Sequence, residues 1–369
     1  MSTATETVLE IDLRALAHNY GYLRSKIDPT TKFLAVVKAF AYGSDSVRVA
    51  KKLEELGTDY FAVAYTREGE VLRNANITTP ILVLHPLPIG FDTLITKNME
   101  PSIYSFHMLD AFLEVAKKSR LQQFPIHIKF NTGLNRLGFN ISDIPRIVQR
   151  LVGRKEVKIV SLFSHLAATE DKNEREFTLQ QIASFKSAAT ELGKSLGHDP
   201  ILHILNTSGI INYPQAQMDM VRSGIGLYGY GNEASVDKEL RPVATLKTLI
   251  SQLHHLKKGD TVGYNRVYRT ERPMVTATLP LGHADGIGRP YGNGNGAVWV
   301  NGRKAPIIGN VCMDMIMVDV TGIPCKEGDE VIVFGPNTSA DILATTAHTI
   351  SYELLTGISQ RVRRSFIDG

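Results

Sequence analysis

Along the first two thirds of the chain, short apolar runs rich in β-branched residues alternate with longer segments in which apolar and polar residues mix. Eight apolar runs have the length and composition of buried strands, and they cover residues 33–38, 60–65, 80–85, 101–105, 125–130, 157–164, 201–206 and 220–228. Helical periodicity before or between these runs predicts helices over residues 13–26, 45–57, 107–119 and 174–193. Strands that alternate with helices in this way form parallel sheets with right-handed crossovers.

Two fold classes build such a parallel sheet, the closed (β/α)8 barrel of the TIM type and the open doubly wound sheet. Eight strands with their helices in about 230 residues match the size of the barrel. The open sheet commonly carries a Gly-x-Gly-x-x-Gly loop after an early strand, and this chain has none there. We therefore expect the α/β barrel and keep the open sheet as the alternative.

The pattern changes near residue 240, where short β-branched runs follow one another closely, as over residues 274–279, 297–300 and 330–334. Turn signals such as Asn301-Gly302 separate the runs, which is typical of a mostly-β domain. A helical piece is predicted over residues 340–356. We expect the barrel in residues 1–238, with residues 1–10 able to pair with the second domain, and a mostly-β C-terminal domain in residues 239–369.

Composition narrows the class of protein. Of the 369 residues, 43% are hydrophobic and 21% charged, which is ordinary for a globular protein. The net charge of +4, without a long Lys/Arg run, does not indicate a nucleic acid or membrane partner. No run approaches a membrane span or a signal peptide, and two isolated cysteines, Cys312 and Cys325, suit neither a disulfide framework nor a structural zinc. We expect a cytoplasmic protein.

In a barrel, the side chains just past the carboxyl ends of the strands face the active site. In this sequence those positions carry cations, hydroxyls and glycine, namely Lys38, Tyr42, Arg136, His165, Thr207, Ser208, Arg222 and Gly224. No carboxylate is among them, which argues against a glycosidase pair, and a lone histidine is a poor metal site. Backbone amides near Gly224, with Thr207 and Ser208, could hold a phosphate. A desolvated Lys38 near cations would have a lowered pKa and could form a Schiff base.

Each of these residues has a simpler structural explanation. Lys38 could extend its ammonium group to solvent from the end of the strand. Arg136 and Arg222 could be partners in structural ion pairs, and His165 could be a hydrogen-bonded core histidine. Their convergence on one face of the predicted barrel favours the functional interpretation over these alternatives.

At this point the chain resembles the alanine racemase family of pyridoxal-phosphate enzymes, over nearly its whole length. Four segments of the barrel carry the resemblance: Ala35–Gly43, Lys129–Phe139, Ser164–Ala167 and Val221–Gly229. In the second domain it is carried by Val262-Gly263-Tyr264, Leu281–Gly286, Val311–Met315 and Ser351-Tyr352-Glu353. The resemblance implies a barrel-type fold, pyridoxal 5′-phosphate as cofactor, an amino acid as substrate, and a head-to-tail homodimer.

The resemblance also implies a role for each matching residue. Lys38 corresponds to the lysine that holds the cofactor covalently and moves a proton on one face of the substrate. Tyr264 corresponds to the second base, which the other subunit supplies to the opposite face. Arg222 matches the arginine at the pyridine nitrogen, and His165 matches the residue that links the tyrosine to it. The phosphate positions are Tyr42, Thr207, Gly224, Ile225 and Tyr352.

Two further positions, Arg136 and Met313, match residues near the cofactor O3′ and the substrate carboxylate. Lys129 matches a lysine that is often carbamylated and supports this arginine. The implied activity is a two-base interconversion of L-alanine and D-alanine, which would supply D-alanine for peptidoglycan, and no metal is implied.

The sequence departs from the family pattern at Phe40, Ser44-Asp45, Asn131, His283 and Asn310. None of these changes removes a reacting group. Since His283 and Asn310 could alter access and side-chain tolerance, a broad-specificity or serine racemase of the same fold stays open as the alternative. A decarboxylase of this fold would carry an acidic group in place of Arg222, and a non-catalytic carrier would not retain Tyr264 and Met313.

Overall fold

The computed structural model describes residues 5–231, 233–336 and 338–368. The first strand, β1, is Val8–Asp12, and the strands that follow it form an eight-stranded parallel sheet: β2 (Lys32–Val36), β3 (Tyr60–Val63), β4 (Ile81–Val83), β5 (Glu100–Ile103), β6 (Phe124–Lys129), β7 (Val157–Phe163), β8 (Ile201–His203) and β9 (Met220–Ser223). Helices cover the sheet at Leu13–Arg24, Ser46–Glu55, Thr66–Asn74, Phe91–Thr96, Phe106–Lys118, Ile144–Leu151, Arg175–Gly193 and Thr207–Asn212.

The sheet closes on itself, which confirms the barrel and excludes the open sheet. Strands β2 to β8 pair in sequence order, and β9 pairs in parallel with β2. At the seam between β8 and β9, the backbone N–H groups of Asp219 and Arg222 donate to the carbonyls of Leu202 and Leu205, both at 3.1 Å. The strands read as nearly continuous apolar runs because side chains inside the barrel and beneath the helices are both buried.

The strand predictions were too long at their carboxyl ends, and the excess is largest in the last two runs. The run 220–228 is extended only to Ser223, and Ile225–Tyr228 is a 3-10 turn. The run 201–206 leaves the strand after His203. Leu205, Leu227 and Tyr228 are nonetheless buried. In these two runs the apolar residues indicate that the chain is buried, but they do not indicate that it is extended.

The helix expected over residues 340–356 is two helices, Ala340–Thr346 and Ser351–Gly357. His348 lies between them with φ at +56°, in the left-handed region, and a right-handed helix cannot pass through that conformation. The break places the second helix at the barrel mouth, where Tyr352 joins the cavity described below.

The second domain is the mostly-β structure that the sequence predicts. Its strands are β10 (Ala244–Leu249), β11 (Gln252–Leu256), β12 (Thr261–Val262), β13 (Tyr268–Arg269), β14 (Met274–Leu279), β15 (Ala297–Val300), β16 (Arg303–Ile308), β17 (Ile316–Asp319), β18 (Glu330–Phe334) and β19 (Arg363–Ile367). All of these strands except β12 and β13 join β1 in one nine-stranded sheet. In this sheet β1 pairs antiparallel with β10 and parallel with β19. Asn301 and Gly302 both have positive φ, as the tight turn between β15 and β16 requires.

In the described part of the chain, no helix combines the length and apolarity needed to cross a membrane.

Candidate active site

A cavity of about 680 Å³ opens at the carboxyl ends of the barrel strands. It brings together most of the residues that the sequence singled out: Lys38, Tyr42, Arg136, His165, Thr207, Ser208, Arg222, Gly224, Ile225 and Tyr352, with Lys129 beside them. The convergence follows from the topology, because parallel strands direct their carboxyl ends to one side of the barrel.

Lys38 follows the end of β2, and its half-buried side chain lines the cavity. Burial lowers the pKa of its ammonium group, and the nearby Arg136 guanidinium lowers that pKa further. The Glu68 carboxylate acts in the opposite direction. The lysine is therefore not a surface cation but an amine whose neutral, nucleophilic form is favoured by its surroundings.

The turn after Lys38 winds in the left-handed sense. The consecutive residues Ala39, Phe40, Ala41 and Tyr42 have φ between +51° and +56°. Each non-glycine residue in this region costs roughly 1–2 kcal/mol, so surrounding contacts must stabilise the turn. One of them is the Glu68 carboxylate, which accepts a hydrogen bond from the Ala39 backbone N–H at 2.7 Å.

The second domain holds the same turn from the other side. Arg364 of β19 donates from Nη2 to the Gly43 carbonyl at 2.8 Å and from Nη1 to the Ser359 carbonyl at 2.6 Å. Gly43 has φ at +81°, and a Cβ atom there would lie 2.0 Å from the Leu355 carbonyl oxygen. Only glycine satisfies both the backbone conformation and the close contact. The geometry at Lys38 thus depends on the two domains together.

Arg222, on β9, is 5% exposed and is held by neutral acceptors. Its Nη1 donates to His203 Nδ1 at 2.8 Å, and its Nη2 donates to the carbonyls of Ser164 at 2.6 Å and Ile204 at 3.0 Å. Burial lowers the pKa of the guanidinium to about 9, which leaves it protonated at neutral pH. Within the described residues no carboxylate contacts it, so it remains a cation available to an acceptor in the cavity.

His165 contacts Arg222 and also lines the cavity. Its Nδ1 accepts from Arg222 Nη2 at 3.3 Å. Burial first, and then the charges of Arg222, Arg136 and Lys129, lower the pKa of this imidazole far below its usual value. The ring is therefore neutral, and because Nδ1 accepts, Nε2 carries the hydrogen and can donate.

Gly224 and the aromatic rings form one wall of the cavity. A Cβ atom on Gly224 would lie 2.2 Å from the Tyr42 hydroxyl oxygen. The Tyr42 ring stacks on Tyr228 at 4.5 Å and lies 5.9 Å from the ring of Tyr352. Burial raises the pKa of the Tyr42 phenol, so this hydroxyl remains a neutral donor. Because Gly224 has no side chain, the Tyr42 hydroxyl and the backbone at Gly224 can lie close together in the cavity lining.

Thr207 ties the loop after β8 to the turn after β9. Its hydroxyl lies 3.1 Å from the Ser223 hydroxyl and accepts from the Gly226 backbone N–H at 3.3 Å. The preceding residue, Asn206, caps the short helix by accepting from Gly209 N–H at 2.9 Å. Hydroxyl groups and backbone amides are thus concentrated in this part of the cavity lining, which suits an anion.

Lys129 is the last residue of β6 and is 7% exposed. Burial first, and then Arg136, Arg222 and Lys38, lower the pKa of its ammonium group to about 8. It forms no ion pair within residues 5–231, 233–336 and 338–368. Burial and the neighbouring positive charges both disfavour the protonated form of this lysine.

The structure does not bring Tyr264 and Met313 to this cavity. They are 71% and 59% exposed and line a separate cavity of about 690 Å³ on the second domain. Tyr264 begins a 3-10 turn between β12 and β13, and its carbonyl accepts from the Asn310 side chain at 3.4 Å. Cys312 lines the same cavity. Within one chain, these two residues are not part of the Lys38 site.

Sequence reasoning missed two residues that support the site, Glu68 and His203. Glu68 stabilises the left-handed turn, and His203 accepts from Arg222. For His203 a signal was present, since a polar residue in the apolar run Ile201-Leu202-His203-Ile204 requires a buried partner. Glu68 gave no signal, because a glutamate in the first turn of an amphipathic helix is ordinary.

No cluster of three or more histidine, cysteine, aspartate or glutamate side chains in the described ranges is arranged to hold a metal ion.

Comparison with known proteins extends over both domains. The family model described as alanine racemase, N-terminal domain, matches residues 11–232, and the one described as alanine racemase, C-terminal domain, matches residues 243–366. The chain is 38% identical to the alanine racemase of Halothermothrix orenii, over 98% of this chain and 96% of that protein. It is 36% identical to that of Clostridium kluyveri, over 98% and 94%.

Solved structures agree. The alanine racemase of Clostridium difficile 630 superposes with a TM-score of 0.92 at 32% identity, over 99% of this chain and 97% of that chain. The Bartonella henselae alanine racemase, solved with covalently bound pyridoxal phosphate, gives a TM-score of 0.90 at 29% identity, over 99% and 100%.

Proposed function

The chain belongs to the alanine racemase family, and from this we propose that it interconverts L-alanine and D-alanine with pyridoxal 5′-phosphate held in the barrel cavity. The observation that carries the proposal is the meeting of Lys38 and Arg222 in one cavity. The first is an amine with a lowered pKa, and the second is a buried guanidinium whose hydrogen-bond partners are neutral.

The cavity residues suit this cofactor in size and charge. A volume of about 680 Å³ lies within the range of small-molecule sites. The space that a Cβ on Gly224 would fill, and the hydroxyls around it, suit a phosphate, and the residues we assign to it are Tyr42, Thr207, Gly224, Ile225 and Tyr352. Bound there, pyridoxal phosphate would supply an electron sink for the negative charge that develops at the substrate α-carbon.

We assign Lys38 two tasks, covalent attachment of the cofactor and proton transfer at the substrate α-carbon on one face. Both require an unprotonated amine at neutral pH. The lowered pKa supports this assignment, because desolvation and the Arg136 charge favour the neutral form. The left-handed turn that begins at Ala39 supports it as well, since the contacts that stabilise this strained backbone directly after Lys38 also hold Lys38 in position.

We assign Arg222 to donate a hydrogen bond to the cofactor's ring nitrogen. A guanidinium does not give up its proton, so that nitrogen would stay unprotonated. With Arg222 in this role, the electron sink would be weaker and proton return to the wrong carbon would be limited. Arg222 suits the task because its neutral partners leave its charge uncompensated.

We assign Tyr264 of the partner subunit in a head-to-tail homodimer as the base on the opposite face. Racemisation needs a base on each face, because a single fixed base tends to return the proton to the side it left. A tyrosine phenol titrates near 10, so nearby positive charge must stabilise its anion. The Nε2–H of His165, which is tied to Arg222, can donate to that anion. The exposure of Tyr264 in the single chain supports its use by a partner.

We assign Arg136 of the same chain and Met313 of the partner to the substrate carboxylate and the cofactor O3′. Lys129 would support Arg136 as a carbamate. Its neutral amine, favoured by a pKa of about 8, can add carbon dioxide and release a proton. The carbamate anion could pair with the Arg136 guanidinium, which repels the ammonium form of Lys129.

The range of substrates and the place in the cell are further proposals. His283 is exposed and Asn310 holds the Tyr264 backbone, so both lie where side-chain tolerance can change, and a broad-specificity or serine racemase is the second candidate. We propose that the protein acts in the cytoplasm and that its D-alanine serves peptidoglycan, as the family membership suggests.

Racemase activity on a panel of L-amino acids, with pyridoxal phosphate added and removed, tests the function directly. We expect cofactor-dependent activity with the highest kcat/KM for alanine, and a visible absorption band that borohydride abolishes with label on Lys38. A preparation without cofactor that still racemises alanine would overturn the proposal. A higher kcat/KM for serine would favour the second candidate.

A further inference from the structure

Five polar side chains form a continuous line of hydrogen bonds through the barrel interior. Glu100 Oε2 lies 2.6 Å from His127 Nε2, and His127 Nδ1 lies 2.5 Å from the Ser161 hydroxyl. That hydroxyl lies 3.0 Å from His203 Nε2, and His203 Nδ1 lies 2.8 Å from Arg222 Nη1. Nothing in the cofactor and substrate assignments uses the first three of these residues.

The line crosses the barrel in an ordered way. Its members lie on five successive strands, β5 to β9, one on each strand. Glu100 is the first residue of β5, at the end opposite the barrel mouth, whereas Arg222 lines the cavity at the mouth. The line also spans the seam, where β8 and β9 form no regular ladder.

All five side chains are largely or fully removed from solvent. His127, Ser161 and His203 are 0% exposed, Arg222 is 5% exposed, and the Glu100 side chain is 12% exposed. In such surroundings each hydrogen bond is strong and an unpaired group is costly, so the line is expected to adopt one arrangement.

The chemistry of the two ends sets the direction of every bond. Arg222 can only donate, so His203 Nδ1 accepts and Nε2 carries the hydrogen. That hydrogen is donated to the Ser161 hydroxyl, whose single proton then goes to His127 Nδ1. His127 Nε2 therefore donates to the Glu100 carboxylate, which only accepts when ionised. Each donor meets one acceptor, and both imidazoles are neutral.

The state of His203 agrees with this direction. Burial first, and then the charge of Arg222, lower the pKa of its ring far below the usual value, which keeps it neutral. Its ring also stacks on Phe163 at 4.9 Å, so it cannot turn to exchange its two nitrogens without disturbing the packing.

We propose that Glu100, His127, Ser161 and His203 are positioning residues, a one-way hydrogen-bond relay that holds the His203 ring in place, in the tautomer that Arg222 requires, and thereby fixes the orientation of Arg222. The carboxylate polarises the relay from the far end, which strengthens His203 Nδ1 as an acceptor without placing an anion against the guanidinium. A direct carboxylate would compete with the acceptor that Arg222 is to serve. The inference rests on the proposed function, in which Arg222 faces the cofactor ring.

Two serine substitutions distinguish the loss of the relay from the loss of any buried hydroxyl group. Ser161→Ala interrupts the relay without removing either histidine. Ser102→Ala is the matched control, since Ser102 is 0% exposed, lies opposite His127 in the β5–β6 pairing, and its hydroxyl has no hydrogen-bond partner among the described residues. Glu100→Gln is a second relay variant, which keeps the shape of the acceptor and removes its charge.

The first measurement is ring-nitrogen NMR of the 15N-histidine-labelled full chain, with and without added pyridoxal phosphate. We expect the Nε2–H form for His203 and His127 in the unaltered protein and the Ser102→Ala variant, and a shifted His203 Nε2 signal in the Ser161→Ala variant, in which that N–H loses its acceptor. Either an Nδ1–H form of His203 in the unaltered protein or an unchanged signal after Ser161→Ala would overturn the relay.

The second measurement is alanine racemisation together with the visible spectrum of the bound cofactor. We expect kcat to fall roughly tenfold in Ser161→Ala and in Glu100→Gln with KM within about twofold, a shifted absorption maximum, and neither change in Ser102→Ala. If Ser161→Ala does not fold, Glu100→Gln decides in the same way. Equal behaviour of relay and control variants contradicts the proposal. If the protein did not racemise alanine, the proposed function would fail, and the ring-nitrogen signals would still decide whether the relay exists.

Discussion

The Tyr42 hydroxyl lies against the backbone of Gly224, so closely that a Cβ atom on that glycine would be 2.2 Å from the hydroxyl oxygen. Gly224→Ala must therefore displace Tyr42 or the turn after β9. We expect at least a tenfold weaker affinity for pyridoxal phosphate, measured by absorbance titration, because the assigned phosphate position loses its shape. Affinity equal to that of the unaltered protein would remove Gly224 from the site.

Gly21 offers the control for that substitution. It lies in the helix Leu13–Arg24, and a Cβ atom there would meet nothing within 4 Å. Gly21→Ala should leave the cofactor affinity unchanged and raise the free energy of unfolding by about 0.5–1 kcal/mol, since alanine loses less backbone entropy in a helix.

Ala39 opens the left-handed turn after Lys38, with φ at +53° and an exposed side chain. Ala39→Gly should raise the free energy of unfolding by about 1 kcal/mol in denaturant titrations of the cofactor-free protein, because glycine adopts this conformation without strain. The same exchange at Ala183, exposed in the helix Arg175–Gly193, should lower it by about 1 kcal/mol. The same sign at both positions would contradict the left-handed turn.

Lys129 should make stability depend on pH in a defined window. The folded pKa of about 8 lies below the ordinary 10.5, so the unfolded chain binds more protons between these values and stability rises with pH there. Lys129→Met should therefore stabilise the protein below about pH 8, with a ceiling of roughly 3 kcal/mol, and the gain should vanish as pH rises to 10.5.

This prediction applies to carbon-dioxide-free buffer and is measured by denaturant titration at a series of pH values. The exposed Lys158 on β7 supplies the control, since Lys158→Met should change stability by less than about 0.5 kcal/mol at any pH. Added bicarbonate should reduce or reverse the gain from Lys129→Met, because a carbamate at Lys129 would be an anion among cations. A gain that is independent of bicarbonate would argue against carbamylation.

The supply of Tyr264 by a partner subunit predicts complementation between inactive variants. Lys38→Ala and Tyr264→Phe should each abolish or strongly impair racemisation. Mixed dimers of the two would contain one site with both residues intact, so unfolding and refolding the variants together should restore about a quarter of the normal activity. No recovery in verified mixed dimers would contradict the supply of Tyr264 by a partner subunit.

Part of the candidate site was evident before the structure. Lys38 closes one apolar run, Thr207 directly follows another, and Arg222 lies in the last one. Once the runs are strands of a barrel, their side chains can meet at one mouth. The structure confirms the barrel and their common cavity. Their chemical roles, and the division of the chain at residues 238 and 239, stay predictions.

The sequence by itself determined the alternation of strands and helices, the change to a β-rich texture after residue 240 and the identity of the reactive groups, because these depend on local periodicity and residue type. Only the tertiary structure decided the left-handed turn at Ala39, the break of the final helical segment at His348 and the line from Glu100 to Arg222. These features arise from contacts between residues far apart in the chain. No local pattern shows that position 224 must be glycine to leave space for the Tyr42 hydroxyl. The two residues meet only because β2 and β9 pair in the closed barrel.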